Sequence, residues 1–367
     1  MAVTLAQALA RARGLLADDR LVPALLTWKA VLTQQPLADD VRMQVAAALS
    51  VAGRVDEAGQ IYRSLSMHLM RAGRPLPAIA AAHALAGLGL PYDFLLESVA
   101  EMYAAGSSSL APFGARPAPL DAGVIIEELP EVDDDVDLSP EEYERLVATL
   151  VARGTDFSAH PPYQDQIHPI TFLSELAPDS LLAVLQALTV VAAAPDDIVV
   201  QQGAPGDSIY WVAGGRLLVT ARGADGTANE LAQLFENSLF GEMALVTNQP
   251  RGASVVASEA ALVLALARSD LDEVRARIPS IETSLTRFAR ERLIRNLLNT
   301  SPLFTPFTKD QQSDLLRRFE GLEVPAGSVI IREGDQGTGL YVVLSGALDV
   351  TALRDSPASP VSLAALG

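Results

Sequence analysis

Two glycine-punctuated, β-rich stretches restrict the fold more than anything else in this chain: "IVVQQGAPGDSIYWVAGGRLLVT" (198–220) and "VIIREGDQGTGLYVVLSGALDVT" (329–351). An offset of 131 lays Gly203, Gly206, Tyr210 and Gly215 on Gly334, Gly337, Tyr341 and Gly346, so one small domain occurs twice. Each copy opens with a helical stretch, "DSLLAVLQALTV" (179–190) or "DQQSDLLRRFEG" (310–321), and continues in short alternating runs. That is the pattern of a small antiparallel roll or barrel. Strands are predicted near 197–202, 208–221, 229–235, 253–258 and 260–267, then helix from the Ser269–Asp270 cap to about Asn299. By the same offset Gly367 aligns with Glu236, so the second copy is expected to be partial.

Residues 1–105 follow a different rule. They are rich in Ala and Leu, with helical periodicity broken by turns such as "ADD", "AGR" and "GLP", and helices are predicted near 4–17, 21–33, 40–52, 56–71, 75–87 and 92–105. A shift of 34 residues places Leu15, Ala24 and Trp28 on Leu49, Ala58 and Tyr62. The period resembles that of the tetratricopeptide repeat, with a plain helical bundle as the alternative; either gives a surface for protein contact.

Between these regions, "GSSSLAPFGARPAP" (106–119) reads as a linker, and residues 121–145 hold eleven Asp or Glu against one Arg, the signature of a solvated tether. Asp133, Asp135, Asp137 and Glu144 fall at calcium-loop positions, but Leu138 stands where that loop needs glycine and Pro140 interrupts it. The expected architecture is α+β and multidomain. It comprises a helical repeat domain (1–105), a flexible acidic linker (106–164), a jelly-roll-like β-roll with flanking helices (165–300) and the N-terminal part of a second roll (301–367).

Composition excludes several kinds of function. The formal net charge of -18, with lysine only at Lys29 and Lys309, argues against sequence-independent nucleic-acid binding. Without cysteine there is no disulfide, thiolate nucleophile or cysteine-ligated metal, and no long apolar run spans a bilayer; a cytoplasmic protein is expected. No GxSxG, Walker A, GxGxxG or kinase signature is present, so no catalytic residue is expected. His160 and His168 bracket "PPYQDQI" without HxH or HExxH spacing, which reads as linker histidines and no metal site.

The binding chemistry concentrates in "FGEMALVTNQPRGAS" (240–254). Gly241 suits a close backbone approach, Ala244 is too small to obstruct one, and free N–H groups at a helix start attract an anion. Arg251, set by Pro250, can fork onto two phosphate oxygens, whereas Glu242 would repel a phosphate and suits a hydroxyl donor. The combination asks for a singly charged sugar phosphate.

This segment closely resembles the phosphate-binding cassette of the cyclic nucleotide-binding domain, the module shared by cyclic-AMP-dependent kinase regulatory subunits, cyclic-nucleotide-gated channels and the bacterial catabolite activator. With the "PGDSIYWVAGG" hairpin and flanking helices the resemblance covers about 165–300. It implies that Glu242 accepts the ribose hydroxyl, and that Arg251 with the amides around Ala244 and Ala253 holds the cyclic phosphate. Gly241 would line the ribose pocket, and Phe240, Met243 and Gly252 complete the expected ligand-binding set. It further implies that the helix after the roll swings on binding, with Leu293, Ile294 or Leu297 capping the base. Gly252 stands where cyclic-GMP-selective members tend to carry a hydroxyl residue, a lean toward cyclic AMP. The expected ligand is cyclic AMP or cyclic GMP, with no cofactor, and the partner a protein engaging the helical repeats. The alternative is a ligand-independent scaffold with a vestigial roll. A DNA-reading helix pair, as in the catabolite activator, has no counterpart here.

Overall fold

The structure, a computed structural model, describes the chain apart from residues 1, 118–119, 122, 128, 130–135, 137, 223–226, 244–249, 301–303, 305, 323, 344–345, 353–360 and 367. Side chains at 280, 282, 296–297, 299–300, 313, 316, 361 and 365–366 are likewise outside the description.

After a two-residue strand β1 (Val3–Thr4), the N-terminal region folds as helices α1 (Leu5–Ala17), α2 (Leu21–Gln34), α3 (Asp39–Val51), α4 (Val55–Arg71), α5 (Pro75–Gly87) and α6 (Asp93–Tyr103). Thr4 and Gln7 form a reciprocal capping box that starts α1. Helices α3 and α4 begin 34 residues after α1 and α2, at Asp39 after Leu5 and Val55 after Leu21. Consecutive helices pack on one another around Leu25, Trp28, Leu49, Ile61, Leu65 and Leu69, all nearly inaccessible.

Strands β2 (Leu110–Ala115) and β3 (Ile125–Ile126) follow, β3 pairing with β1 and Leu110 and Ala115 bridging to Ile167. Helix α7 (Pro140–Thr155) then corrects the expectation of a flexible tether over 106–164. Its Ser139–Glu142 capping box starts a helix whose Leu146, Val147 and Leu150 are buried, and it packs on α2, α3 and α4. Arg54 grips it from α4's N-cap, donating to both carboxylate oxygens of Glu144 at 2.6 and 2.9 Å. The calcium-loop positions Asp133, Asp135 and Asp137 lie outside the described residues.

A 3-10 turn at Leu173–Glu175 leads into α8 (Pro178–Ala187), which stops at Ala187 where the sequence suggested helix to 190. The β-branched Thr189, Val190 and Val191 turn that end into strand β4 (Thr189–Ala193). The roll continues with β5 (Ile198–Val200), β6 (Ser208–Gly214), β7 (Leu217–Arg222), β8 (Ala228–Leu234), β9 (Leu239–Phe240), β10 (Ser254–Ala257) and β11 (Ala261–Ala267). The run expected at 208–221 divides at Gly215, whose φ of 78° makes the turn between β6 and β7.

Two antiparallel four-stranded sheets result, ordered β5-β10-β7-β8 and β4-β11-β6-β9. Val200, Val212, Leu217, Leu234, Phe240, Val255 and Val263 fill the space between them. The second sheet is also covered on its outer face. Ile209, Trp211, Leu264 and Leu266 belong to the core that runs on into α5 and α8, and the Trp211 indole donates to Thr171 O at 3.1 Å. A buried ion pair crosses the same junction, with Arg74 Nη2 2.8 Å from Glu236 Oε2. Arg116 also donates to the Glu236 carbonyl.

The helix expected at 269–299 is two, α9 (Arg268–Arg277) and α10 (Ser280–Thr300), because Pro279 lacks the N–H that would continue the first. Beyond it lie α11 (Lys309–Arg318) and an antiparallel ribbon of β12 (Leu348–Ala352) with β13 (Val361–Leu366). None of the described residues between Arg318 and Leu348 is in a strand. Ile331 and Leu340, the counterparts of buried Val200 and Ile209, are 62% and 59% exposed.

Candidate functional site

The expected ligand residues gather where β9 ends. Phe240 pairs with Tyr210 across β9 and β6, and the rings stack at 5.0 Å. Gly241 follows with φ 85°, and a Cβ there would lie 2.8 Å from Arg251 Nη1 and 3.0 Å from Ser208 O. Glycine is therefore required twice over, for a left-handed backbone and for a close approach. What approaches is the arginine itself.

Arg251 is buried. Its Nη1 donates to Gly241 O at 2.6 Å and its Nη2 to Ser208 O at 2.7 Å, with exposed Asp207 at 3.5 Å and the Tyr210 ring 5.8 Å beneath. Its backbone is held as firmly: the N–H donates to Ala204 O and the carbonyl accepts from Gly203 N, both at 2.8 Å. The "QQGAPGDS" turn thus fixes the arginine from both sides, which explains why those glycines precede β6 in the sequence.

Glu242 begins a helical turn and is 2% exposed. Burial raises its carboxyl above the usual range, and the charges of Arg292 and Arg251 only partly offset that. Arg292 was missed by sequence reasoning. It reaches down from α10, placing Nε 3.2 Å from Glu242 Oε1 while Nη1 donates to Leu239 O at 2.7 Å. One of four arginines on a helix 50 residues away, Arg292 carries no local signal of such a contact.

Other expected residues are placed as follows. Met243 continues the helical turn, Gly252 is exposed with open space around it, and Ala253 is half-buried before β10. Ala244 lies outside the described residues, as does the Leu297 side chain. Leu293 is half-buried, and Ile294 packs with Leu298, Phe304, Leu315 and Phe319, tying α10 to α11. His168 lies between α7 and the 3-10 turn, its Nδ1 3.0 Å from Pro112 O. His160 does not behave as a linker histidine; it is drawn into the helical domain, its Nε2 3.1 Å from Asp39 Oδ1.

Residues 190–277 match the family model of the cyclic nucleotide-binding domain, and the roll is a domain of that family. Among curated relatives, the cAMP-dependent protein kinase regulatory subunit of Neurospora crassa is 32% identical over 170 residues, covering 44% of this chain and 42% of that protein. The cGMP-dependent protein kinase egl-4 of Caenorhabditis briggsae is 27% identical over 216 residues, covering 59% of this chain and 27% of the kinase. The chain thus spans less than half the length of either relative. Among solved structures, the regulatory domain of Toxoplasma gondii PKA with cAMP is 20% identical, covering 53% of this chain and 72% of that one at a TM-score of 0.31. No described helix is long and apolar enough to cross a membrane.

Proposed function

We propose that the roll binds one cyclic nucleotide, cyclic AMP in preference to cyclic GMP, and that the chain is a regulatory protein and not an enzyme. The observation that carries this reading is the meeting of Glu242 and Arg251 at the Gly241 corner, both buried and close enough for the arginine's charge to act on the carboxylate. A buried carboxylate accepts a ribose hydroxyl well, and a guanidinium forks onto the two free oxygens of a cyclic phosphodiester. The preference rests on Gly252, which offers no hydroxyl beside that phosphate.

Binding has a built-in consequence for α10. A ribose on Glu242 must displace or share Arg292, so occupancy changes how that helix is held. A second route runs through Glu236, four residues before Phe240, whose pair with Arg74 ties the roll to the helical region. The 34-residue recurrence of helix starts supports a tetratricopeptide-like surface there for a protein partner, in a cytoplasmic setting. Calorimetric titration of the full chain with cyclic AMP and cyclic GMP tests the proposal. One saturable site is expected, tighter for cyclic AMP and lost in Arg251→Ala; a folded chain giving no heat with either nucleotide would refute it.

A second reading draws on a specific observation: both key side chains already have protein partners, Arg251 in two carbonyls and Glu242 in Arg292. In it the roll is a scaffold whose site is internally satisfied. Partner capture would then be unchanged by nucleotide and by Arg251→Ala.

A further inference from the structure

Three side chains far apart in sequence meet inside the helical domain. Asp39 opens α3, His68 lies in the last turn of α4, and His160 follows α7. One ligand atom from each lies within 4.8 Å of the others. His160 Nε2 is 3.1 Å from Asp39 Oδ1, and His68 Nε2 is 3.9 Å from Asp39 Oδ2. His68 is 4% exposed, and the His160 and Asp39 side chains are each 9% exposed.

Hydrogen bonding leaves this cluster incomplete. His68 Nε2 and His160 Nδ1 are both buried, and neither has a hydrogen-bond partner among the described residues. A purely structural cluster would satisfy such nitrogens, since each one orphaned costs about 1–3 kcal/mol. The unpartnered His68 Nε2 faces the carboxylate across a gap too long for a hydrogen bond. Its other nitrogen, Nδ1, lies 3.1 Å from the Tyr163 hydroxyl, and Phe157 stacks on the ring at 4.1 Å. That is how a metal-ligating imidazole is commonly held: one nitrogen on a polar group that fixes the ring, the other free to coordinate.

We propose that Asp39, His68 and His160 bind a divalent first-row transition ion, Zn²⁺ before the others. Two imidazoles and one carboxylate form a borderline N,N,O donor set that suits Zn²⁺ and leaves Mg²⁺ and Ca²⁺ poorly served. Bond lengths of roughly 2.0–2.2 Å place tetrahedral ligand atoms about 3.3 Å apart. The 3.1 Å pair already meets that spacing, and the 3.9 Å pair needs only a small ring rotation.

Two guanidiniums stand nearby, and each has its better partner elsewhere. Arg42 donates to Asp156 O at 2.9 Å and Arg74 to Glu236 at 2.8 Å, while both reach Asp39 only at 3.5 Å. Glu236 and Asp40 face Arg74 and the charge of Asp156 acts on Arg42, so neither guanidinium depends on Asp39 alone. The bound ion would pin the segment after α7 onto α3 and α4, beside the Arg74–Glu236 bridge to the roll.

The test uses the full chain after chelator treatment. Calorimetric titration with ZnCl₂ should show one equivalent bound, and Co²⁺ should give the visible absorption of a low-coordinate nitrogen-ligated ion. Both signals should vanish in His68→Asn and in His160→Asn, and persist in Asp133→Asn/Asp135→Asn, which thins the acidic stretch. Imidazole NMR gives a readout that needs no variant: of the four histidines, Zn²⁺ should move the His68 and His160 resonances and leave those of His83 and His168 in place. No stoichiometric binding, zinc that leaves the His68 and His160 resonances unmoved, or binding that survives both histidine changes overturns the proposal.

Discussion

At the scale of single residues, Glu242 concentrates the chemistry. Its folded pKa is raised by burial, so the fold favours the protonated form. The stability it contributes is therefore complete below the ordinary carboxylate value of about 4.3 and is lost as pH rises through the raised folded value. Ligand binding runs the other way, because only the ionised carboxylate is a strong acceptor for a ribose hydroxyl. Cyclic-nucleotide affinity should accordingly fall as pH drops from 7.5 through the window above 4.5, a trend that calorimetry at several pH values will read. Glu242→Gln should remove both dependences and weaken binding by about 1.5–3 kcal/mol, the worth of a hydrogen bond to a charged acceptor. Gly241→Ala is expected to be severe: a Cβ 2.8 Å from Arg251 Nη1 and a φ of 85° together should cost about 1–3 kcal/mol in urea denaturation and displace the arginine.

At the scale of elements, α10 acts on the site through one side chain. Arg292 is about one-third exposed, so its pair with Glu242 is partly screened and worth about 1 kcal/mol. Arg292→Gln should tighten cyclic-nucleotide binding up to about fivefold at alkaline pH, where the carboxylate stays ionised without its neighbour, while the fall in affinity moves to higher pH. Unchanged or weaker binding would show instead that Arg292 assists the ligand. This is also the scale at which sequence reading succeeds and fails. Strands β5 to β8, β10 and β11 were legible because alternation and glycine turns are local, and so were helices α1 to α6. Helix α7 was hidden by its own charge: eleven acidic residues over 121–145 suggested a tether, although Ser139 and Glu142 already spelled a capping box. The nearness of Glu242 and Arg251 was legible because they lie only nine residues apart. Arg292, and the meeting of Asp39, His68 and His160, arise from tertiary packing, to which no sequence spacing points.

At the scale of the whole molecule, the roll and the helices are joined by a buried charge pair and a continuous apolar layer. Arg74→Ala would strand Glu236, whose carboxyl burial already pushes upward, and should cost about 3–5 kcal/mol in denaturation of the full chain. Adding Glu236→Leu should restore much of that loss, because the uncompensated charge goes with it. The covered outer face of β4-β11-β6-β9 bears on how the roll can be reused. Most schemes for biosensors lift a ligand-binding module out and transplant it between reporters. Here such a transplant would carry Ile209, Trp211, Leu264 and Leu266 into water as a greasy sticker on the sheet's outer face. A working graft has to bring α5 and α8 along, or repaint those four positions with polar side chains before the cut is made.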